Sequence, residues 1–140
     1  MAEARRSRLL LSPMPHVELV AAQAVEEIAT GLGFPRDTLD EVKLAVVEAC
    51  LNALEYGGGK VEVELTAHGG DGARIEVAVI DHGPGFDPES VAQPRLGDKL
   101  HNPRKRGWGL ELIRRLMDRV EIHSRQGRTE IRMVRGRDEV

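Results

Sequence analysis

Residues 37–66 read DTLDEVKLAVVEACLNALEYGGGKVEVELT, and the change of period inside this stretch decides the fold. From Asp37 to Tyr56 apolar side chains return every three or four residues, the repeat of an α-helix. Gly57-Gly58-Gly59 close that helix. Beyond them Val61, Val63 and Leu65 alternate with Glu62, Glu64 and Thr66, the period of a strand with one buried face. A long one-sided helix handing over to a half-buried strand calls for helices layered against a sheet.

The same reading extends outward. Ile75, Val77 and Val79 alternate with Glu76 and Ala78, a partner strand across the turn at 68–72. Upstream, Val17, Val20, Ala21, Ala24, Val25 and Ile28 predict a helix over 16–30, stopped by Gly31 and Gly33. Arg8–Ser12 reads as a short edge strand ending at Pro13. Downstream, Leu110, Ile113, Leu116 and Met117 predict a third helix from Trp108. Residues 120–124 and 129–134 form a closing hairpin around Gln126-Gly127, and 136–140 a frayed tail. Residues 81–106, with Pro84, Pro88, Pro94 and Pro103, show little periodicity and exceed the length of a plain connection, so about 87–106 reads as a functional lid. The expected fold is α+β: a two-layer α/β sandwich with helices on one face of a mixed sheet, one domain over 1–140.

Composition narrows the functions. At 140 residues, 41% hydrophobic and 31% charged, the chain is sized for one globular core. A formal net charge of -3 supplies no field that would draw it to nucleic acid or anionic lipid. Aromatic content of 3% is too low for a base-stacking platform, so no direct nucleic-acid partner is expected. The one cysteine, Cys50, excludes a disulfide framework and fits a reducing cytoplasm. No apolar run approaches a membrane span, and Leu9–Leu11 is too short for a signal-peptide core; a cytoplasmic location is expected.

Three stretches carry chemistry. On the long helix a mainly polar line, Glu41, Ala45, Glu48, Asn52 and Glu55, runs between two apolar stripes and stacks Glu48 one turn from Asn52. The Asn52 amide oxygen is a hard ligand suited to Mg²⁺ beside phosphates, and the Glu48 carboxylate suits proton removal from a hydroxyl or water. A solvated helix edge explains the same pair. Second, Asp81-His82-Gly83-Pro84-Gly85-Phe86 follows a strand directly. It sets a fixed acceptor, suited to an adenine amino group, beside backbone that a ligand can approach; a plain turn has the same composition. Third, Arg106-Gly107-Trp108-Gly109-Leu110 opens a helix whose N-terminal N–H groups favour phosphate, with Arg104, Lys105 and Arg106 adding charge. A solvated basic loop fits as well. Gly57-Gly58-Gly59-Lys60 precedes a strand and lacks Walker A spacing, and neither later glycine pair completes a dinucleotide fingerprint.

In this order and at these separations, the three stretches resemble the N, G1 and G2 boxes of the GHKL (Bergerat-fold) ATPases: Glu48-Ala49-Cys50-Leu51-Asn52-Ala53, Asp81-x-Gly83-x-Gly85 and Gly107-x-Gly109-Leu110. Within that superfamily the chain is similar to the anti-sigma-factor serine kinases of the RsbW/SpoIIAB type. The resemblance implies ATP and Mg²⁺ as cofactors, Glu48 as general base on a serine hydroxyl, and Asn52 as metal ligand. It implies Asp81 at the adenine amino group, with Gly83 and Gly85 beside it. It places Arg104, Lys105, Arg106, Gly107, Trp108, Gly109 and Leu110 at the phosphates. It further implies a homodimer, a sequestered sigma factor, and a STAS-type anti-anti-sigma antagonist phosphorylated on serine. The chain differs from many relatives at Leu51 (threonine), at Tyr56 (histidine) and in a first helix without the usual arginine. An ATP-binding switch of the same fold that transfers no phosphate is the alternative. The ATPase domain of a two-component histidine kinase fits less well, since the first helix offers only His16 and no helical hairpin precedes the boxes.

Overall fold

A computed structural model describes residues 4–83 and 106–138, with residues 106–108 described by backbone alone. In chain order the elements are β1 (Ala4–Leu11), α1 (Glu18–Ile28), α2 (Arg36–Gly57), β2 (Val61–His68), β3 (Arg74–Asp81), α3 (Arg106–Leu116), β4 (Arg119–Arg125) and β5 (Arg128–Gly136). The lid expected at about 87–106 lies outside the described residues except for Arg106, which is the first residue of α3.

The alternation read in the central strands decides which side of the sheet is covered. Val61, Val63, Leu65 and Ala67 of β2 stand opposite Asp81, Val79, Val77 and Ile75 of β3, and all eight are buried. Ile131 and Met133 of β5 extend that layer. The three described helices pack here: Ala21, Val25 and Ile28 from α1, Val42, Val46, Ala49 and Ala53 from α2, and Leu110 and Ile113 from α3 join one buried cluster. The opposite face is charged, its ion pairs running both across and along strands. Arg8 meets Glu64, Glu76 meets His68 and Arg74, and Glu130 meets Arg128 and Arg132.

The two-layer α+β arrangement is as expected, but the sheet, ordered β1-β2-β3-β5-β4, is antiparallel throughout and not mixed. Connection parity explains this. The α1–α2 hairpin leaves β1 and returns to the same end of the sheet, so Leu11 pairs with Val61 and β2 runs back beside β1. Strands β3 and β4 run parallel to each other, but β5 inserts between them, antiparallel to both, and no parallel pair becomes adjacent. Strand β1 starts at Ala4, earlier than Arg8, because the Arg5 guanidinium lies on the helix side and donates to the carbonyls of Ile28 and Thr30 at the end of α1. Those carbonyls have no partner within the helix.

Two charged contacts fix the helices. Arg36 of α2 grips Glu26 of α1 through both nitrogens, each at 2.6 Å, and Lys43 adds a third contact at 3.2 Å. Arg135 of β5 donates to Glu41 of α2 at 2.7 Å and to the carbonyl of Leu116 at the end of α3, joining sheet, α2 and α3. Cys50, fully buried on α2, has its thiol pushed up to about 12, chiefly by burial and then by the charge of Glu18.

Hydrogen bonds from Arg36 and Lys43 hold the Glu26 carboxyl down at about 2, against its ordinary 4.5. A lowered carboxyl stabilises the fold above its unfolded pKa and loses that contribution as pH falls through the folded one. Denaturant midpoints measured at pH 6, 4 and 2.5 are therefore expected to fall less for Glu26→Gln than for the parent; equal losses would show that the α1–α2 clamp carries no stability.

Candidate functional site

The polar line along α2 is not a solvated edge. Ala45 and Asn52 are buried, at 0% and 3% exposure, while Glu41 and Glu48 are half-buried and Glu55 is exposed. Burial arises because α2 is packed against α1, the sheet and α3. Among the described residues the Asn52 carboxamide makes no hydrogen bond. An amide left unsatisfied inside a protein costs about 1–3 kcal/mol, so this position fits a group that the protein must bind. No group of three or more His, Cys, Asp or Glu able to hold a metal occurs among the described residues. One amide oxygen without a carboxylate cage suits Mg²⁺, which takes a few protein oxygens and completes its shell with water and phosphate. The residues present therefore fit that ion.

Asp81 ends β3 on the helix side of the sheet, 5% exposed. Its Oδ1 accepts the Gly83 backbone N–H at 3.0 Å, which fixes the carboxylate in a tight turn. Among the described residues nothing donates to its other oxygen. Thr129 of β5, directly across the sheet from Asp81, is 2% exposed and shares a 2.8 Å hydrogen bond with Ser124. A buried acid and a buried hydroxyl thus lie side by side on the face whose other β2, β3 and β5 positions nearby are apolar.

The end of α2 is pressed onto this turn. A Cβ placed on Gly57 would stand 2.7 Å from the Asp81 Cβ, and one on Gly83 would stand 2.6 Å from the Gly57 Cα. Both are closer than side chains approach, so both positions must lack one. The helix then ends at Gly58, whose φ of 71° is the left-handed form that glycine adopts most readily. Asn52 lies little more than one turn before Gly57, so the amide and the acid share one corner of the molecule.

The third stretch lies on α3, which packs against α2. The helix starts at Arg106, so Gly107 and Gly109 belong to its first turn and do not lead into it. Leu110 is 2% exposed and part of the apolar cluster, so its side chain serves the core and only its backbone can face a ligand. Gly109 behaves oppositely. Nothing lies within 4 Å of a Cβ placed there, and its backbone needs no left-handed form. Packing among the described residues gives no reason for a glycine at 109; a ligand passing close to the helix does. The side chains of Arg106 and Trp108 are not described, and Gly85, Arg104 and Lys105 lie outside the described residues. Two participants escaped the sequence reading. Gly57 looked like the first of several helix-stopping glycines, and Thr129 like an ordinary strand residue; its only signal was a hydroxyl on an otherwise apolar alternation.

Residues 12–135 match the family described as histidine kinase-like ATPase domain, and the chain belongs to that family. A serine-protein kinase RsbW from Halalkalibacterium halodurans is 32% identical over 115 residues, covering 77% of this chain and 69% of the relative. The chain is thus also a member of the RsbW serine-protein kinases. Among solved structures it is similar to the RsbU and RsbW domains of a Mycobacterium tuberculosis protein, at a TM-score of 0.66 and 16% identity, over 97% of this chain and 34% of that one. It is likewise similar to the SiaB–SiaC complex of Pseudomonas aeruginosa, at a TM-score of 0.59 and 10% identity, over 93% of this chain and 89% of that one. These two likenesses establish the fold.

The glycine geometry separates two kinds of position. Gly83→Ala and Gly57→Ala are expected to lower stability by about 1–3 kcal/mol, the usual cost of forcing an atom into packed space. Gly109→Ala is expected to gain up to about 1 kcal/mol, as alanine replaces a helical glycine. Urea titrations of the three variants check this; a neutral Gly83→Ala would mean that the two backbones are free to part.

Proposed function

We propose that the chain is an ATP-dependent protein serine kinase whose site is the corner where α2, the end of β3 and the start of α3 meet. The observation that carries the reading is the pair of buried, under-partnered polar groups on that corner, Asn52 and Asp81. The free oxygen of Asp81 accepts the adenine amino group, with Gly83 and Gly85 lining that side and Thr129 beside it. The Asn52 oxygen holds Mg²⁺, which when bound neutralises phosphate charge. The N–H groups of Gly107, Trp108, Gly109 and Leu110 face the phosphates from the first turn of α3, where the helix dipole favours negative charge. Arg104, Lys105 and Arg106 add positive charge on the strength of the family resemblance.

Phosphoryl transfer relies mainly on positioning and charge stabilisation. The serine oxygen of the protein substrate forms a bond to the γ-phosphorus while the bond from that phosphorus to the β,γ-bridging oxygen breaks, and ADP departs. Glu48, one turn from Asn52 on the same helix face, takes the hydroxyl proton. A group that only binds nucleotide has no use for a carboxylate there, and this favours the kinase over a silent switch. In this reading the protein acts in the cytoplasm as an anti-sigma factor. It sequesters a sigma factor as a homodimer and inactivates a STAS-type anti-anti-sigma antagonist by phosphorylating it on serine. Among the described residues no helix is long and apolar enough to cross a membrane.

Glu48→Ala is expected to bind Mg-ATP as the parent does and to transfer labelled γ-phosphate to the antagonist roughly 10²- to 10⁴-fold more slowly. Asn52→Ala and Gly109→Ala are expected to weaken Mg-ATP binding itself, read by calorimetry or Trp108 fluorescence. Transfer by Glu48→Ala at the parental rate would remove Glu48 as the base.

A further inference from the structure

Strand β1 forms one margin of the sheet and β4 the other. The register of β1 with β2 is unbroken from Ala4 to Leu11, with no proline and no bulge to guard the open edge. Two of its three arginines are engaged within the chain, Arg5 on the carbonyls of Ile28 and Thr30 and Arg8 on Glu64 at 3.2 Å. This margin is also apolar. Leu10 of β1 and Leu19 and Val20 of α1 are each more than half exposed, an unusual position for large apolar side chains. Leu19, Val20 and Gln23 line one side of an open groove of about 390 Å³ between α1 and the edge strand, and Ser7 and Leu9 line the other. The exposed side chains of β4 are instead Arg119, Glu121, His123 and Arg125.

A second copy of the chain fits this margin in spacing, in twist and in charge. Helix α1 packs on both β1 and β2. With two β1 strands side by side, the two α1 helices stand about two strand spacings, or roughly 9–10 Å, from each other, which is the distance at which helices pack. Two steps of sheet twist turn them by about 40–50°, the commonest crossing class. Charge then selects the register, because like charges directly opposite are destabilising. An antiparallel pairing that keeps helix-side residues on the helix side has few centres. Centred on Ser7 it sets Arg6 against the partner's Arg8, and centred on Arg8 it sets that residue against the partner's Arg8. Centred on Leu10 it keeps only residues 9–11 within β1. Centred on Leu9 it pairs residues 7–11, with Ser7 facing the partner's Leu11 and Arg8 facing the partner's Leu10. Glu62, which stands beside Leu10 in the β1–β2 register, makes no ion pair among the described residues. The Leu9 register brings Arg8 between Glu64 of its own chain and the partner's Glu62.

We infer that β1 pairs antiparallel with β1 of a second copy about a two-fold axis at Leu9, joining two sheets into one and packing α1 against the partner's α1 through Leu19, Val20 and Gln23. Such an interface is isologous and closes on itself, leaving no β1 edge open. The inference gives the homodimer of the proposed function its interface, and it rests on that reading for the homodimer alone.

Sedimentation velocity over a concentration series, on the parent and on Val20→Asp, tests the helix contact. Val20 lies outside the buried cluster, so its replacement leaves the fold intact, and far-UV circular dichroism verifies this. The parent is expected to dimerise, and Val20→Asp to weaken the dimer about 100-fold, a tenfold loss from each of two equivalent sites. Oxidative cross-linking tests the strand register. Leu9→Cys is expected to form a disulfide-linked dimer, since residues opposite each other in an antiparallel pair have Cα atoms about 4.5–5.5 Å apart. Ser7→Cys is expected to stay uncrosslinked, its two copies standing about 13 Å apart in this register. The chain's own Cys50 is fully buried and does not compete. A parent that stays monomeric overturns the inference together with the homodimer, while calorimetry with Mg-ATP decides the nucleotide site independently. A parent dimer that survives Val20→Asp, or that fails to cross-link through Leu9→Cys, overturns this interface alone. Cross-linking through Ser7→Cys instead overturns the register and with it the pairing. A dimer that behaves as expected but transfers no phosphate upholds the interface and fails the kinase reading.

Discussion

The backbone of Gly57 touches the turn that follows β3, and the site depends on that contact. With any larger residue at 57 or 83 the end of α2 and the end of β3 would stand apart, because an added carbon would lie 2.6–2.7 Å from its neighbour. Closing that gap puts the buried Asn52 amide and the buried Asp81 carboxylate on one wall. The sheet then extends the wall through Thr129, and α3 packs against α2. Longer-range restraints hold the arrangement. Arg135 joins α2 to the end of α3, and Glu26 bridges the α1–α2 pair.

The corner is costly to the fold on its own. Asn52 and one oxygen of Asp81 take no hydrogen bond among the described residues, and Gly109 leaves an unfilled space on a helix where alanine would be more stable. Sites shaped for ligands commonly sacrifice stability in this way. In the proposed function a nucleotide with its metal would supply what each of these positions lacks: a donor for the acid, a cation for the amide, and oxygens for the helix N-terminus.

Much of this was legible in the sequence, and the limits have physical causes. Period-two and period-3.6 patterns revealed the described helices and the central strands, since one-sided burial writes itself directly into alternation. Sheet direction did not follow, because parity of the connections and the insertion of β5 between β3 and β4 are properties of the whole chain. Strand β1 was read short because Arg5 looks like a solvent residue until its guanidinium is seen to cap α1. In the site, Glu48, Asn52, Asp81, Gly83 and Gly109 were all singled out by type and spacing. Gly57 was not, since a glycine that ends a helix and a glycine pressed against a carboxylate look the same in sequence. Leu110, expected at the phosphates, has its side chain in the core, which leaves its backbone N–H for such a contact.

The most direct measurement is a crystal structure of the chain grown with Mg²⁺ and a non-hydrolysable ATP analogue. The expected result places the adenine amino group in hydrogen-bond distance of the free Asp81 oxygen and the metal on the Asn52 oxygen, with the phosphates over the first turn of α3. A nucleotide held away from both Asp81 and Asn52 would contradict the convergence of α2, β3 and α3 on one site.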